Sequence, residues 1–327
     1  MTADPMPLSV PLPLSVVVLA AGRGVRMRSG RPKPLHDLCG RAMLLHVIDA
    51  LAAANPRQVA VVVGYGAEEV AKHVTEEAFD LRIDFIEQPV QRGTADAAAL
   101  GLTALDGDVD DEDVLVISAD MPLIQSQTLR GLTAQHRLAG SAATVATAAE
   151  ENTEICCFRR SLLSPALRRL SASDSGREYN LSDAVEVLTS AGHDSGSYSI
   201  DEAEAQGVDD REQLAFAEAE MRQRINRNWM VAGVRIMAPH SAYIDVSVKL
   251  APDVVIHPGV VLRGQTVIGE GAVIGPHTHL VDCVVGPRAV VEAVSATDAE
   301  IGADAKVGAY ITLEPGAQIP PASTKGA

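Results

Sequence analysis

The residues with the clearest chemical potential open near the N-terminus, in Leu19-Ala20-Ala21-Gly22-Arg23-Gly24-Val25-Arg26-Met27. Leu19 ends an apolar run, and Ala20, Ala21, Gly22 and Gly24 have almost no side chain. Backbone N–H groups in such a loop can approach a phosphate closely. Arg23 and Arg26 add guanidinium donors beside that nest. Lys33 follows between Pro32 and Pro34, which stiffen its backbone and suit it to neutralise a phosphate as a point charge. Asp120 lies in Ser118-Ala119-Asp120-Met121-Pro122, directly after a second apolar run. A carboxylate there is placed to hold Mg²⁺ against a triphosphate. Taken singly, each residue has a plainer reading: a tight turn with surface arginines, a surface lysine, a helix-capping aspartate. Together they point to a nucleoside triphosphate site.

The elements that must position these residues alternate strand and helix. Continuous apolar runs at 14–19 (LSVVVL), 59–63 (VAVVV) and 114–118 (VLVIS), with a further strand at 83–87, read as parallel strands buried on both faces. Helices are expected at 42–54, 68–74 and 94–105. The alternation predicts an α/β, doubly wound, Rossmann-like sheet, with ligands at the carboxyl ends of its strands. The acidic stretch 106–113 reads as a solvated loop. Residues 210–230 predict a helical arm whose acidic start and basic end suit the helix dipole.

Beyond the arm the period changes. Ile244, Leu250, Ile256, Leu262, Ile268, Ile274 and Leu280 fall at six-residue spacing, the phase slips, and Ile301, Val307, Leu313 and Ile319 resume it. One aliphatic residue per hexad predicts a left-handed parallel β-helix, with glycines such as Gly269, Gly286 and Gly302 at tight corners. The expected organisation is a disordered leader at 1–13, an α/β domain carrying the triphosphate loop at 14–209, the arm at 210–230, the coil at 231–320 and a tail at 321–327.

Composition narrows the partners. With 27 Lys and Arg against 43 Asp and Glu the net charge is −16, a poor match for nucleic acid or an anionic membrane. Aromatics are only 3%, too few for a base-stacking surface. Cys39, Cys156, Cys157 and Cys283 show no metal spacing and read as reduced thiols of a cytoplasmic protein. The proline-rich start is not a signal peptide, and no apolar run is long enough to span a bilayer.

LAAGRGVRM with RPKPLH, then QPVQRGT, SADMPLI and a hexapeptide coil after a helical arm, resemble the bacterial bifunctional N-acetylglucosamine-1-phosphate uridyltransferase/glucosamine-1-phosphate acetyltransferase family. The resemblance implies uridylyl transfer from UTP to N-acetylglucosamine 1-phosphate with Mg²⁺, for cell-wall precursor synthesis. It implies that Leu19, Ala20, Ala21 and Gly22 line the nucleotide, that Lys33 meets the phosphates and that Arg26 steadies the transition state. Gln88, Gly93 and Thr94 would recognise uracil, and Ser118, Ala119 and Asp120 match the strand-end triplet whose last residue binds the metal. Asn152, in a segment resembling ENTG, would contact the sugar. EYNLSD would supply further sugar contacts through Asn180 or Tyr179 and through Ser182. Asp209 stands where a GVN segment has its metal-binding asparagine. The family's coils imply a homotrimer.

Three departures from the family pattern stand out. The stretch between Ala149 and Glu150 lacks the DPxGYGRI and IVExKDA motifs, which supply a glycine and a glutamate to the sugar pocket. Glu154 replaces the glycine of ENTG. Thr312 or Glu314 stands where an RLRPG segment has its arginine, and the chain stops at Ala327, so acetyl transfer is not expected. Two rival readings follow: a related nucleotidyltransferase with another sugar phosphate or nucleotide, and a non-catalytic oligomeric homologue.

Overall fold

A computed structural model describes residues 13–77, 81–107, 112–172 and 178–326. The expected leader therefore lies outside the described residues except for Pro13, whose carbonyl accepts from Asp113 N–H at 3.1 Å. The chain divides into two compact units. One comprises the residues up to His36 and Ala42–Gln213; the other comprises Asp37–Arg41 and Leu214–Ala327.

The first unit is built on a seven-stranded sheet: β1 (Leu14–Ala20), β2 (Gln58–Val63), β3 (Ile83–Glu87), β4 (Asp113–Ser118), β5 (Ala143–Ala148), β6 (Glu151–Arg159) and β7 (Ser195–Ser199). Their spatial order is β3-β2-β1-β4-β6-β5-β7. The apolar runs at β1, β2 and β4 are buried along their whole length, as strands covered on both faces require. Successive residues face opposite layers. Val16, Val18, Val59, Val61 and Leu115 pack with α1 (Met43–Ala52), α2 (Ala67–Glu77) and α4 (Ser126–Ala139). Val17, Leu19, Ala60, Val62 and Val114 pack with α3 (Thr94–Ala104), α5 (Arg160–Ala172) and α6 (Leu181–Ser190). Gly101 lets α3 approach the sheet, since a Cβ there would collide with Val17.

One strand breaks the parallel pattern. β6 runs antiparallel to both β4 and β5. It reaches β5 through a two-residue turn in which Ala149 (φ 47°) and Glu150 (φ 67°) are both left-handed, the twist that two-residue hairpins favour.

The acidic loop is only partly as expected. Asp106 is solvated and pairs with Arg82, while 108–111 lie outside the described residues. Glu112 and Asp113, however, are buried. Glu112 accepts from Ser15 Oγ, Arg57 Nε (3.1 Å) and Arg160 Nη1 (2.6 Å), and Asp113 from Arg137 Nε (2.6 Å). These partners come from other elements, so no local pattern announces them.

In the second unit the chain winds through three parallel sheets of six, five and five short strands. It is a left-handed parallel β-helix. The hexad residues Ile244 through Leu280, and Ile301 through Ile319 after the slip, are all buried. The slip falls in the coil where Leu280 pairs with Ala296, and there a small alanine takes the inward position. Gly269, Gly286 and Gly302 are fixed by proximity: a Cβ on each would strike the backbone of the next coil. Left-handed φ angles are carried instead by residues such as Asp282, Asp298 and Asp304. The coil continues past 320, because Thr324–Lys325 still pair in register with Lys306 and Val307. The expected arm forms α7 (Arg211–Val231), and the division between units falls within it, after Gln213. Among the described residues no helix is long and apolar enough to cross a membrane.

Candidate active site

β1 and β4 are neighbours, with Leu19 opposite Ser118, while the chain leaves β1 toward β2 on one side and returns to β4 on the other. That reversal is the point at which an open α/β sheet leaves a crevice beyond its strand ends. A cavity of about 400 Å³ lies there. Leu19, Ala20, Ala21, Gly22, Arg26 and Lys33 line one part of it. Gln88, Gly93 and Thr94 line another, and Ser118, Ala119 and Asp120 complete the floor. The residues singled out for the nucleotide therefore converge on one cavity.

Lys33 is the hub. Its Nζ donates to Asp120 Oδ2 at 2.5 Å and to Asp209 Oδ1 at 2.7 Å, and Arg26 Nη2 meets Asp209 Oδ2 at 2.9 Å. Burial disfavours the Lys33 ammonium, but the two carboxylates outweigh it and hold its pKa above the ordinary value. Burial likewise works against the Asp209 carboxylate, and Lys33 with Arg26 reverses the sign, holding it below the usual range. Gly24 is necessary to this arrangement. Its φ is +62°, and a Cβ would lie 2.6 Å from Lys33 Cβ.

Asp209 reaches the site through backbone and side-chain ties. Val208 N–H donates to the Asp120 carbonyl at 2.8 Å, Asp209 N–H to Gln213 Oε1 at 2.6 Å, and Arg211 Nε to the Met27 carbonyl at 3.3 Å. The segment that carries Asp209 is thereby laid across both strand ends.

At the other end of the cavity Gln88 is buried and donates to Asp96 Oδ2 at 2.8 Å. Thr94 Oγ1 accepts from Leu181 N–H at 2.9 Å. Gly93 has φ +104° and lies against the Tyr179 backbone, with no room for a Cβ. Gln91 was not singled out from the sequence. It lines the cavity and donates to the Ala21 carbonyl at 2.7 Å, which ties the glycine-rich loop to the QPVQRGT segment. Nothing in a lone exposed-looking glutamine signals that role.

The sugar candidates separate. Asn152 lines a trough shared with Arg26, Asp120, Glu154 and Asp209. Ser182 does not; it lines a second cavity, between β6 and α6, that Asn152 also borders. Asn180 lines the main cavity and caps α6, while Tyr179 packs with the α3 layer. Glu154 lines both the main cavity and the trough. Partial burial, then the Asp120 carboxylate, pushes its pKa up, against a hydrogen bond from Ser118 and the charge of Lys33.

Among the described residues no group of three or more His, Cys, Asp or Glu side chains is arranged to hold a metal. Mg²⁺ needs less, since it takes one or two carboxylates and completes its shell with substrate phosphate and water. Asp120 and Asp209, brought within reach of a single ammonium, fit that donor set.

The MobA-like NTP transferase domain profile matches residues 16–187, and the bacterial transferase hexapeptide profile matches 247–281. The bifunctional protein GlmU of Streptomyces avermitilis is 36% identical over 94% of this chain and 71% of its own length. The chain belongs to the GlmU family. The GlmU protein of Rhodococcus jostii is 38% identical over 94% of this chain and 69% of its own, and that of Listeria monocytogenes 34% over 93% and 73%. Among solved structures, the 4-diphosphocytidyl-2C-methyl-D-erythritol synthase of Anaerococcus prevotii shares the fold of the first unit. Its TM-score is 0.52 and its identity 16%, over 64% of this chain and 99% of its own. The GlmU relationship makes the first unit a nucleotidyltransferase.

Proposed function

We propose that the chain transfers a uridylyl group from UTP to N-acetylglucosamine 1-phosphate, giving UDP-N-acetylglucosamine and pyrophosphate, a cytoplasmic step toward cell-wall precursors. The observation that carries this reading is the junction at Lys33, where two carboxylates and two cations meet at the mouth of one nucleotide-sized cavity.

In this reading Gln88, Gly93 and Thr94 hold the base, and the small residues Ala20, Ala21 and Gly22 admit the phosphates to the backbone. An oxygen of the sugar phosphate attacks the α-phosphorus in line. The new P–O bond forms as the bond to the bridging oxygen breaks, and pyrophosphate leaves with that electron pair. No proton needs to move, because the attacking phosphate is already anionic. Lys33 and Arg26 neutralise charge that builds on the phosphorus oxygens, and fixed charges of this kind supply most of the rate in phosphoryl transfer. Asp120 and Asp209 would hold Mg²⁺, which draws charge from the triphosphate and fixes its orientation. Asn152 borders the trough where the sugar would lie. Ser182 is left for an outer contact. Acetyl transfer is no part of this reading, since Thr312 or Glu314 stands where the family segment has its arginine.

A homotrimer through the coil is part of the same proposal. Val255, Val273 and Val290 stack on the outer face of one sheet and Val267 and Val284 on another, an apolar surface suited to a second copy. Pyrophosphate release from UTP and N-acetylglucosamine 1-phosphate, compared with Asp120→Ala, tests the reaction. No release at any Mg²⁺ concentration refutes it. A monomer in light scattering refutes the trimer.

A further inference from the structure

Glu154 stands on β6 at the boundary between the main cavity and the trough, and lines both. The cations of the site are already engaged. Arg26 pairs with Asp209, and Lys33 with Asp120 and Asp209. Among the described residues no Lys, Arg or His pairs with Glu154, whose partner is the neutral Ser118 hydroxyl. The acceptor side of the site thus presents a carboxylate with no ion-pair partner of its own, in a trough that Asn152 and Arg26 also line. A ligand that brings its own cation to this wall gains a charge-assisted hydrogen bond and relieves the repulsion among three carboxylates.

Resting on the uridylyl-transfer reading, we infer that Glu154 is a specificity residue that binds the amino substituent of the acceptor, so that the site takes amino-sugar 1-phosphates bearing a free ammonium group alongside the acetamido sugar. The chemistry orders the acceptors. An ammonium offers three donors and a full charge, an acetamido N–H one neutral donor, and a hydroxyl one weaker donor. All three groups meet the same carboxylate, so the ammonium's own charge is what separates them, and that added charge corresponds to about a tenfold preference.

The test is the ratio of kcat/KM for glucosamine 1-phosphate to that for glucose 1-phosphate, with UTP and Mg²⁺, in the wild type, Glu154→Gln and Glu154→Gly. The wild type should favour the amino sugar about tenfold, and both variants should lose that preference through KM rather than kcat. A merely structural role would lower all acceptors together and leave the ratio in place. A wild-type ratio near one, or a ratio unchanged in Glu154→Gln, overturns the inference. Calorimetric titration of glucosamine 1-phosphate into each protein separates the two proposals. If no acceptor supports turnover, uridylyl transfer fails as a reading. Glu154 is then judged by binding alone: about tenfold weaker affinity in Glu154→Gln supports its role, and equal affinity or no binding to the wild type overturns it.

Discussion

Replacing Lys33 by alanine should both destabilise the first unit and make it dependent on a divalent cation. The Lys33 side chain is 11% exposed and its partners Asp120 and Asp209 are 21% and 32% exposed. Breaking a fully buried ion pair costs about 3–5 kcal/mol, and an exposed one about 0–1 kcal/mol. This half-open pair of contacts lies between, at about 2 kcal/mol. For a domain of this size each kcal/mol lowers Tm by roughly 2–4 °C, so a fall of about 6 °C is expected at neutral pH. Two carboxylates would then face each other without the ammonium, and Mg²⁺ should recover part of the loss by taking its place. Pyrophosphate release should fall about 10²–10³-fold, the usual effect of removing one placed charge-stabilising group. Thermal melts of both proteins with and without Mg²⁺ read out the first claims and a pyrophosphate assay the last. If Lys33→Ala melts at the wild-type temperature without a divalent cation, or if Mg²⁺ shifts both proteins equally, Lys33 is not the internal counter-ion of the pair.

Other perturbations probe the frame around the site. Gly101→Ala should cost about 1–3 kcal/mol in urea unfolding, because its Cβ has to displace the stiff Val17 at the α3–β1 contact. Burial raises the Asp113 pKa, but His136 and Arg137 outweigh it, and the net shift is downward from 3.8. That carboxylate therefore stabilises the fold above the ordinary aspartate value and stops doing so as pH falls through its lowered folded value. Asp113→Asn should flatten the fall of Tm as pH drops below the ordinary aspartate value. All four cysteines are buried and unpaired, and burial pushes the Cys39 and Cys156 thiols up to about 12. A thiol reagent at pH 8 should leave the native protein almost unlabelled and modify four sites after denaturation.

Much of the frame is legible in the residues because its signals are local and repetitive. β1, β2 and β4 announce themselves as unbroken apolar runs, and Ile244 through Leu280 mark each face of the coil at a fixed interval. The loop from Leu19 to Arg26 and the strand-end Asp120 are legible because each follows directly from a strand that can be read. What escapes is set by distance along the chain. The acidic neighbours of Glu112 predict a solvent-facing side chain, yet Ser15, Arg57 and Arg160 converge on it from separate elements. Gln91 acquires its partner only when two loops meet. Ser182 shares a second cavity with Asn152 but, carried on α6, does not line the trough that Asn152 shares with Asp120. The inward Ala296 hides one coil because it lacks the bulk that marks the others.

The ties on Asp209 bear on how the protein comes into being. Lys33 and Asp120 are 87 residues apart, but Lys33 and Asp209 are 176 apart. On a ribosome, the loop and the first carboxylate would emerge and could fold long before the second carboxylate is made. Until Val208 can bond to the Asp120 backbone, Lys33 has one partner instead of two and Arg26 has none at Asp209. The two-carboxylate junction thus closes last, after the far end of the domain has been synthesised, and its formation reports that the whole unit has folded. A series of stalled nascent chains should show divalent-cation protection switching on only once residues through Gln213 have left the exit tunnel.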